Sequence, residues 1–497
     1  MSEFKEFFTN DEDFLIINGP AGTGKTSLIN NSIKECKKLN LKYDAVAYTG
    51  KAASNLRSKC DGTGKTIHNF LYTFASKPKA NGEGYGKDWI LDFNELDILF
   101  IDECSMLSTQ VPGFKVNEEK TYLFLEILQA LKSGKIKKIM LLGDSHQLPP
   151  IYKEENKKED EDTEEIEDNL TESLFPDSMN EHFLQNQFEL KGKTINLETN
   201  WRYHEDLYPY KLSIQLRQHI TIKNSFMSSP KKWITPKVDK NKLTGDENKV
   251  IEWVAERGSE NTFNNIRILT FTNDKAHEWN RKLRRFLGKI DKDTGDVEGI
   301  TTGEPMMNLY NKEYSKFYNG DSFVIKEFID KPYSLQGDSN CERHQACIRN
   351  SGSRPSELSL QKANIILFNE DGNEEKSVNL VNRGVKANDD KSKKAYHLRV
   401  WCDFATRNDD LYKKQKDPSE EDLLEWNEKR NNDEIYGTGI ACYAYASTVH
   451  KTQGDSFDYV VIDLEDEDRN LKWLYTALTR TTKDFLLYGK KGFSDWF

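Results

Sequence analysis

The sequence predicts an α/β protein with two parallel β-sheets. In residues 14–144, short apolar runs typical of buried strands alternate with amphipathic stretches typical of helices. That order predicts crossover connections and therefore a parallel sheet. The same alternation returns from residue 266 onwards. Between about residues 318 and 404, β-like runs follow one another without helices, which predicts a small all-β module inserted into the second α/β part.

The first α/β part is predicted from four apolar runs and two helical stretches. The predicted strands are residues 14–17, 45–48, 98–101 and 139–142. The predicted helices are residues 25–39, in which apolar side chains recur on one face, and residues 122–131, which are strongly apolar.

Two stretches interrupt the first part. Residues 76–87 are rich in Gly, Lys and Pro, which predicts a protruding hairpin or loop. Residues 153–168 hold ten carboxylates and three lysines, which predicts an acidic, solvated insertion. Such a run could also repel DNA or recruit a basic partner.

The second part is predicted in the same way. A strand at 266–272 and a helix at 273–287 open it, and a strand at 459–462, a helix at 471–478 and a strand at 485–487 close it. The β-like runs of the inserted module are residues 322–325, 364–368 and 396–401, and a polar helix follows at 420–429.

Composition excludes several classes of protein. No apolar run approaches the roughly 18 residues that a membrane span needs. The first residues are acidic and mixed, which argues against a signal peptide, and seven Cys spread over 497 residues favour reduced thiols over a disulfide framework. The net charge of −11 does not exclude nucleic acid, because residues 153–168 alone contribute −7.

One motif between a predicted strand and a predicted helix has the pattern G-x4-G-K-[ST]. Glycines in such a loop let backbone N–H groups point at phosphate oxygens, and the following helix adds its positive N-terminal end. The lysine would bridge the β- and γ-phosphates and the last hydroxyl would bind Mg²⁺. The alternative is a simple Gly-rich turn. The motif is Gly19, Pro20, Ala21, Gly22, Thr23, Gly24, Lys25 and Thr26.

Two further motifs follow predicted strands of the same part. Asp102 and Glu103 end an apolar strand, where Asp102 would hold Mg²⁺ and Glu103 would polarise the attacking water. Gln147 follows the strand that ends near Gly143 and is placed to sense the γ-phosphate. Exposed Asp-Glu pairs and strand-ending turns are common, but the three motifs together predict an NTPase.

These motifs, with others in the same order, resemble those of superfamily 1 DNA helicases of the Dda/RecD type. The resemblance runs from Gly19 to Arg480 and includes residues 49–53, 66–68, 200–202, 270–273, 447–454 and 475–480. It implies two RecA-like domains with ATP bound between them. It also implies that Arg202 and Arg480 contact the γ-phosphate and that Gly454 belongs to the nucleotide site. A lone arginine would otherwise be expected in a surface ion pair.

The resemblance further implies that single-stranded DNA crosses both domains. Hydroxyls, amides and a few cations suit phosphate contacts that hold DNA without reading its sequence. The residues that match are Thr49, Lys51, Thr66 and His68 in the first domain, and Thr272, Asn273, Ser447, His450 and Lys451 in the second. His450 alone could equally be a packing histidine.

The resemblance also assigns the insertions. A strand-separating pin is expected at residues 72–93, with Tyr85 or Trp89 either stacking on the base pair at the fork or anchoring the hairpin. The expected boundaries are residues 1–200 for the first RecA-like domain, 201–310 and 438–497 for the second, and 311–437 for an SH3-like β module with a helical extension.

The chain departs from the family pattern at the acidic insertion and at two other places. Relatives usually have a glutamine ahead of the phosphate loop that reads adenine. Residues 1–18 contain no Gln, so several NTPs are expected to be accepted. Cys341, His344 and Cys347 have a metal-like spacing that is not a standard zinc pattern. Whether they bind zinc stays open.

The resulting prediction is an ATP- and Mg²⁺-dependent helicase that moves 5′→3′ on single-stranded DNA and unwinds forked duplex. The nearest alternative is a DNA-stimulated ATPase that displaces proteins and hardly unwinds, and a non-enzymatic DNA-binding scaffold is a third. We expect a monomer in the cytoplasm, or in the host cytoplasm for a viral protein, with no membrane association. Replication, recombination and repair, and the proteins of those processes, are the expected context.

Overall fold

The structure is a computed structural model. The residues that it describes are 2–60, 62–78, 85–109, 115–116, 119–149, 177–201, 207–224, 238–261, 263–290, 299–310, 317–336, 357–369, 372–385, 389–415, 419–465 and 471–489.

The chain forms two compact units. The first unit comprises Met1–Ala75, Asp88–Pro236 and Asn470–Thr479, and the second comprises Ser76–Lys87, Lys237–Arg469 and Arg480–Phe497. The first unit therefore continues past the expected boundary at residue 200 and takes in a short segment near the end of the chain.

The strands are numbered along the chain. They are β1 Phe14–Asn18, β2 Tyr43–Ala47, β3 Lys65–Thr66, β4 Tyr72–Pro78, β5 Tyr85–Leu91, β6 Ile98–Asp102, β7 Lys115–Val116, β8 Glu119–Lys120, β9 Ile139–Gly143, β10 Gly192–Asn196, β11 Leu243–Thr244, β12 Ile266–Thr270, β13 Pro305–Asn308, β14 Ser322–Phe328, β15 Tyr333–Gln336, β16 Glu357–Asn369, β17 Gly372–Val381, β18 Ala441–Tyr443, β19 Ala446–Thr448, β20 Phe457–Asp463 and β21 Thr481–Tyr488.

The α-helices are numbered in the same way. They are α1 Ser2–Phe7, α2 Lys25–Lys38, α3 Gly50–Lys59, α4 Ile67–Leu71, α5 Leu123–Lys132, α6 Glu181–Phe188, α7 Tyr208–Asn224, α8 Glu247–Asn261, α9 Asn273–Phe286, α10 Asp390–Arg407, α11 Asp409–Lys414, α12 Glu420–Asn431 and α13 Leu471–Leu478.

The first unit is built on a parallel sheet. Its strand order is β10-β1-β9-β6-β2-β3, and every described pair in it is parallel. β1, β6 and β9 are almost wholly buried because apolar clusters cover both faces of the sheet. All strands point the same way, so the residues that follow β1, β2, β6 and β9 lie at one edge of the sheet, where ligands of such folds bind.

The second unit contains a second parallel sheet, in the order β11-β21-β20-β12-β19. Val250, Ile268, Trp279 and Val461 are among the residues of its apolar core. These two sheets confirm the predicted fold class of two RecA-like parallel-sheet domains.

An antiparallel sheet of six strands occupies the place of the predicted inserted module. Its order is β15-β16-β14-β13-β18, with β17 paired to β16. It extends beyond the expected residues 311–437, because β13 and β18 both belong to it. The prediction of a β run at 396–401 is wrong, since these residues lie inside α10. Tyr396 packs on one apolar cluster and Trp401 on another, so burial of one helix face explains the apolar run. Identification of the sheet as SH3-like stays a prediction.

β4 and β5 form a two-stranded sheet of their own, at the place where the sequence predicts a hairpin. Its function as a pin stays a prediction, and the side chains of Tyr85 and Trp89 lie outside the described residues. The same holds for residues 153–168 and for Cys341, His344 and Cys347.

Two predictions drawn from composition can be compared with the described residues. Among the helices found there, none has the length and apolar character of a membrane span. Cys36, Cys60, Cys104 and Cys442 are buried and form no disulfide. Cys402 is disulfide-bonded, so the expectation of reduced thiols is wrong at that position.

Candidate nucleotide and nucleic-acid site

The loop between β1 and α2 has the backbone of a phosphate-binding loop. Gly22 and Gly24 have φ of 86° and 83°, a left-handed conformation that glycine adopts without the steric cost of a Cβ. Such turns direct successive N–H groups toward one point and create a concave site for an anion. α2 starts at Lys25, so its positive N-terminal end faces the same point.

The two polar side chains of this loop fold back onto it. The ammonium of Lys25 donates hydrogen bonds to the carbonyl oxygens of Gly19 (2.7 Å) and Pro20 (3.0 Å). Thr23 Oγ1 donates to the same Pro20 oxygen at 2.9 Å. The positive charge of Lys25 is thereby fixed at the loop.

Thr26 and Asp102 meet at the carboxyl edge of the sheet. Thr26 Oγ1 donates to Asp102 Oδ2 at 3.1 Å. Burial raises the pKa of Asp102 to about 6, the nearby carboxylate of Glu103 adds to that effect, and Lys25 opposes it. A hydroxyl and a carboxylate are the hard oxygen donors that Mg²⁺ prefers, so these two residues fit the predicted ion.

Glu103 has an unusual backbone. Its φ is 51°, and its N–H donates to Asp102 Oδ1 at 2.9 Å. A non-glycine residue in this region is strained, and such strain concentrates at functional sites. The hydrogen bond orients the Asp102 carboxylate, and the positive φ ends the extended backbone of β6 at Glu103.

The segment after β10 makes two hydrogen bonds to the phosphate loop. Asn200 Nδ2 donates to the carbonyl of Ala21 at 2.8 Å, and the Trp201 N–H donates to that of Gly22 at 2.8 Å. The indole of Trp201 is 78% exposed. The next residue, Arg202, lies outside the described residues, so its predicted contact with the γ-phosphate stays a prediction.

Gln147 follows β9 in a buried turn. Its side chain is 2% exposed, and within the described part of the chain its Oε1 has no hydrogen-bond partner. Its N–H donates to the carbonyl of Asp144 at 3.0 Å. Asp144 itself is 0% exposed. Burial favours its neutral form, but the Arg217 guanidinium and a hydrogen bond from His146 outweigh burial and lower its pKa.

Arg480 belongs to the second unit and is fixed by a loop of that unit. It is 3% exposed, and its Nη1 donates to the carbonyls of Thr452 (3.4 Å) and Asp455 (3.2 Å). That loop contains Gly454, whose φ of 88° allows its sharp turn. Arg480 and Gly454 are therefore part of one local structure.

All three threonines expected to contact DNA are helix N-caps. Thr49 Oγ1 accepts from Ala52 N at 3.1 Å, at the start of α3. Thr66 and Thr272 accept in the same way at the starts of α4 and α9. Because each hydroxyl uses its oxygen for the cap, its proton is available to donate to a phosphate. Thr49 follows β2 and Thr66 is the last residue of β3, so both lie at the same edge of the sheet as Lys25.

The two histidines of the DNA-contact set are desolvated. Burial lowers the pKa of His68, and it lowers the pKa of His450 to about 4. Both imidazoles are therefore neutral near pH 7 and can act as hydrogen-bonding groups but not as charges.

A small cleft of about 20 Å³ in the second unit gathers several of the predicted DNA contacts. Asn273, Ser447 and Lys451 line it, together with His277 and Asn280. Ser447 is 5% exposed, and within the described residues its Oγ makes no hydrogen bond. A buried hydroxyl without a partner is costly, so this cleft is suited to a polar ligand such as a phosphate oxygen.

Several residues of this site were not predicted from the sequence. Asn200 and Tyr475 lie inside predicted motifs but had no assigned role. Arg217 lies in α7, outside every motif, and only its contact with Asp144 at 2.7 Å reveals it. The capping role of Thr49 could have been found, since a threonine directly before a helical stretch is a recognised N-cap signal.

Two family models match the chain. An AAA domain matches residues 7–153, and a UvrD-like helicase C-terminal domain matches residues 443–488. Their order agrees with the order of the motifs, and the predicted resemblance to superfamily 1 helicases is confirmed.

Individual similar proteins were also found. The uncharacterized protein MJ1519 of Methanocaldococcus jannaschii is 33% identical over an alignment that covers 27% of this chain and 11% of that protein. The structure of Pif1 helicase from Bacteroides with ADP-AlF3 and ssDNA has a TM-score of 0.49 and 14% identity, covering 99% of this chain and 92% of that one. Pif1 helicase from Candida albicans has a TM-score of 0.47 and 15% identity, covering 100% and 94%.

Proposed function

We propose that this superfamily 1 chain is an ATP- and Mg²⁺-dependent DNA helicase that moves 5′→3′ on single-stranded DNA and unwinds forked duplex. One observation supports this above all others. Lys25, Thr26 and Asp102 lie at the same sheet edge as the capping hydroxyls of Thr49 and Thr66. A nucleotide and a DNA backbone bound at this edge would therefore contact neighbouring strands and helices of the same sheet.

In this proposal, the first unit holds the triphosphate. The N–H groups of the phosphate loop and the Lys25 ammonium bind its β- and γ-phosphates. Thr26 and Asp102 would hold Mg²⁺, which neutralises charge on the phosphate oxygens. Glu103 orients the attacking water and accepts its proton, and Gln147 contacts the γ-phosphate through its buried amide.

Arg202 and Arg480 are proposed to contact the γ-phosphate in the closed state. A guanidinium supplies planar positive charge where the transferring phosphoryl group gains negative charge, and such arginines raise hydrolysis rates by several orders of magnitude. Because Arg480 is held by the loop that contains Gly454, movement of that loop would change the position of the guanidinium.

Single-stranded DNA is proposed to run along the helix N-termini of both units. The hydroxyls of Thr49, Thr66 and Thr272 would donate to phosphates, and Ser447 and Lys451 would bind a phosphate in the cleft of the second unit. None of these contacts reads a base edge, which is what a protein that advances along any sequence requires.

The proposal is tested with forked DNA carrying a matched 5′ or 3′ tail, each assayed with ATP, GTP, CTP and UTP. We expect unwinding of the 5′-tailed fork and, because residues 1–18 contain no Gln, use of more than one nucleotide. Stimulated hydrolysis without strand separation would favour a translocase that displaces proteins. Unwinding of only the 3′-tailed fork would overturn the polarity.

The nucleotide site is tested by Lys25→Ala. Loss of a charge that stabilises the transferring phosphate is expected to lower DNA-stimulated hydrolysis by about 10²–10³-fold. Lys34→Ala is the matched control, because Lys34 lies on the same helix and is exposed. Unchanged hydrolysis in Lys25→Ala, with normal activity of the control, would show that the phosphate loop is not the catalytic site.

A further inference from the structure

A buried polar cluster joins the turn that contains Gln147 to helix α13. Its central residues are Asp144, Arg217 and Tyr475, all in the first unit. We propose that Tyr475 is a positioning residue that couples Gln147 to Arg480 during hydrolysis. This inference rests on the proposed function and adds to it a residue that connects two groups of the proposed ATPase site.

The contacts within the cluster are short. Tyr475 Oη donates to Asp144 Oδ2 at 2.6 Å, and Arg217 Nη1 donates to Asp144 Oδ1 at 2.7 Å. Arg217 Nη1 also lies 3.3 Å from Tyr475 Oη. The Asp144 and Tyr475 side chains are both 0% exposed. One carboxylate therefore ties together the end of β9, helix α7 and helix α13.

A second contact with α13 lies on the other side of Gln147. The N–H of Leu148 donates to Thr476 Oγ1 at 3.0 Å, while the N–H of Gln147 donates to the Asp144 carbonyl at 3.0 Å. Consecutive residues of α13, Tyr475 and Thr476, thus hold the residues on both sides of Gln147. A rotation of this turn cannot occur without movement of α13 or loss of these bonds.

His146, in the same turn as Gln147, connects that turn to α7. Its Nε2 lies 2.7 Å from Thr221 Oγ1, and its ring packs edge-on against Tyr475 with 6.3 Å between centroids. Burial lowers the pKa of His146, so the ring is a neutral hydrogen-bonding group. The turn is therefore fixed to α7 as well as to α13.

Helix α13 leads directly to Arg480. Thr479 N donates to the Tyr475 carbonyl at 3.0 Å, and Thr479 Oγ1 donates to the Thr476 carbonyl at 2.7 Å. The hydrogen-bonded turns therefore continue to Thr479, which is the last residue assigned to the first unit there, and Arg480 is the first residue assigned to the second. A shift of α13 would reach Arg480 through one peptide bond.

The chemistry of the cluster is costly if its only function is to hold the fold. Burial of a carboxylate, a guanidinium and a phenol requires desolvation that apolar residues of similar size avoid. Such networks hold one specific geometry and tolerate few others. Holding the turn that contains Gln147 in one arrangement against α13 is a function that requires such geometry.

The test is Tyr475→Phe, which removes one hydroxyl and keeps the ring. We expect kcat of DNA-stimulated hydrolysis to fall about 10–100-fold, as for other small displacements of catalytic groups, with KM for ATP and the affinity for a fluorescent ADP changed less than about twofold. Tyr445→Phe is the matched control, since Tyr445 is also buried and its hydroxyl contacts Glu304 in the second unit.

A second variant and a double variant make the test specific. Thr476→Val removes the acceptor for Leu148 N with little change in volume, and it should lower kcat in the same way. In an Arg480→Ala background, Tyr475→Phe should lower kcat by less than about twofold, because a positioning residue has little effect once the residue that it positions is removed.

Three outcomes would overturn the inference. The first is an unchanged kcat in both Tyr475→Phe and Thr476→Val, even with a lower unfolding temperature, which would indicate a structural role alone. The second is that Tyr475→Phe lowers kcat in the Arg480→Ala background as much as in the wild type, which would show that Tyr475 does not act through Arg480. The third is a wild-type chain without ATPase activity, which would overturn the proposed function as well. Wild-type activity distinguishes the first two cases from the third.

Discussion

At the scale of single residues, burial and the neighbouring groups together determine which side chains of the site have a charge. His450 is desolvated and neutral near pH 7, because its pKa is lowered to about 4. Asp144 is more deeply buried but ionised, because Arg217 and His146 lower its pKa against the effect of burial. The type of residue is therefore a poor guide to charge at this site, and the neighbouring groups decide it.

His450 should make the stability of the chain depend on pH. In the unfolded chain its pKa is near 6.5 and in the folded chain it is about 4, so the unfolded state binds a proton first as the pH falls. Stability linked to this group is complete above pH 6.5 and is lost as the pH falls toward 4.

The expected result is a change in the urea midpoint between pH 7.5 and pH 5.0. The midpoint should fall more in the wild type than in His450→Gln, since glutamine does not titrate in this range. An equal fall in both proteins would show that His450 has an ordinary pKa in the folded chain.

At the scale of elements, the starts of helices supply the proposed DNA contacts. Thr49, Thr66 and Thr272 each cap a helix, so the same hydroxyl would order the helix and donate to a phosphate. The structural and binding roles of these threonines are compatible, because a hydroxyl accepts and donates at the same time.

Thr49→Val should lower both stability and DNA affinity. Loss of the cap on α3 is expected to cost about 0.5–2 kcal/mol in the free energy of unfolding, and loss of the donor should weaken binding of single-stranded DNA. Thr49→Ser keeps the hydroxyl and serves as the control. Urea unfolding and fluorescence anisotropy with a labelled oligonucleotide measure the two effects, and equal DNA affinity in Val and Ser variants would exclude Thr49 as a contact.

At the scale of the whole molecule, net charge and proposed ligand are in apparent conflict. The chain has a net charge of −11, and its proposed ligand is a polyanion. The conflict is resolved if binding depends on neutral donors and a few lysines at defined positions, because binding then needs little overall positive potential. Affinity of this kind depends weakly on salt.

The salt dependence of DNA binding tests this explanation. With Lys51 and Lys451 as the cationic phosphate contacts, the logarithm of the binding constant should fall against the logarithm of salt concentration with a slope of about −1.4. Lys51→Gln should reduce the slope by about 0.7. A wild-type slope steeper than about −4 would indicate a cationic surface elsewhere in the chain.

The sequence predicted the central strands of both parallel sheets, because buried strands and amphipathic helices have distinct apolar periods. It did not predict the short or peripheral strands β3, β10, β11 and β19. It was wrong at residues 396–401, where the alternating run lies inside α10. It also missed that β13 and β18 belong to the antiparallel sheet. Pairing partners depend on the path of the whole chain, and a short apolar run does not specify them.

What the sequence determined by itself is the phosphate loop and the order of the motifs, since local residue types and spacing are enough to define a glycine turn, a lysine and a carboxylate after a strand. Only the tertiary structure decided that Asp144, Arg217 and Tyr475 form one buried cluster. Tyr475 lies 331 residues from Asp144 along the chain, and no local pattern encodes that contact. It exists because α7 and α13 pack together in the first unit, where the ionised Asp144 needs charged and hydrogen-bonding partners.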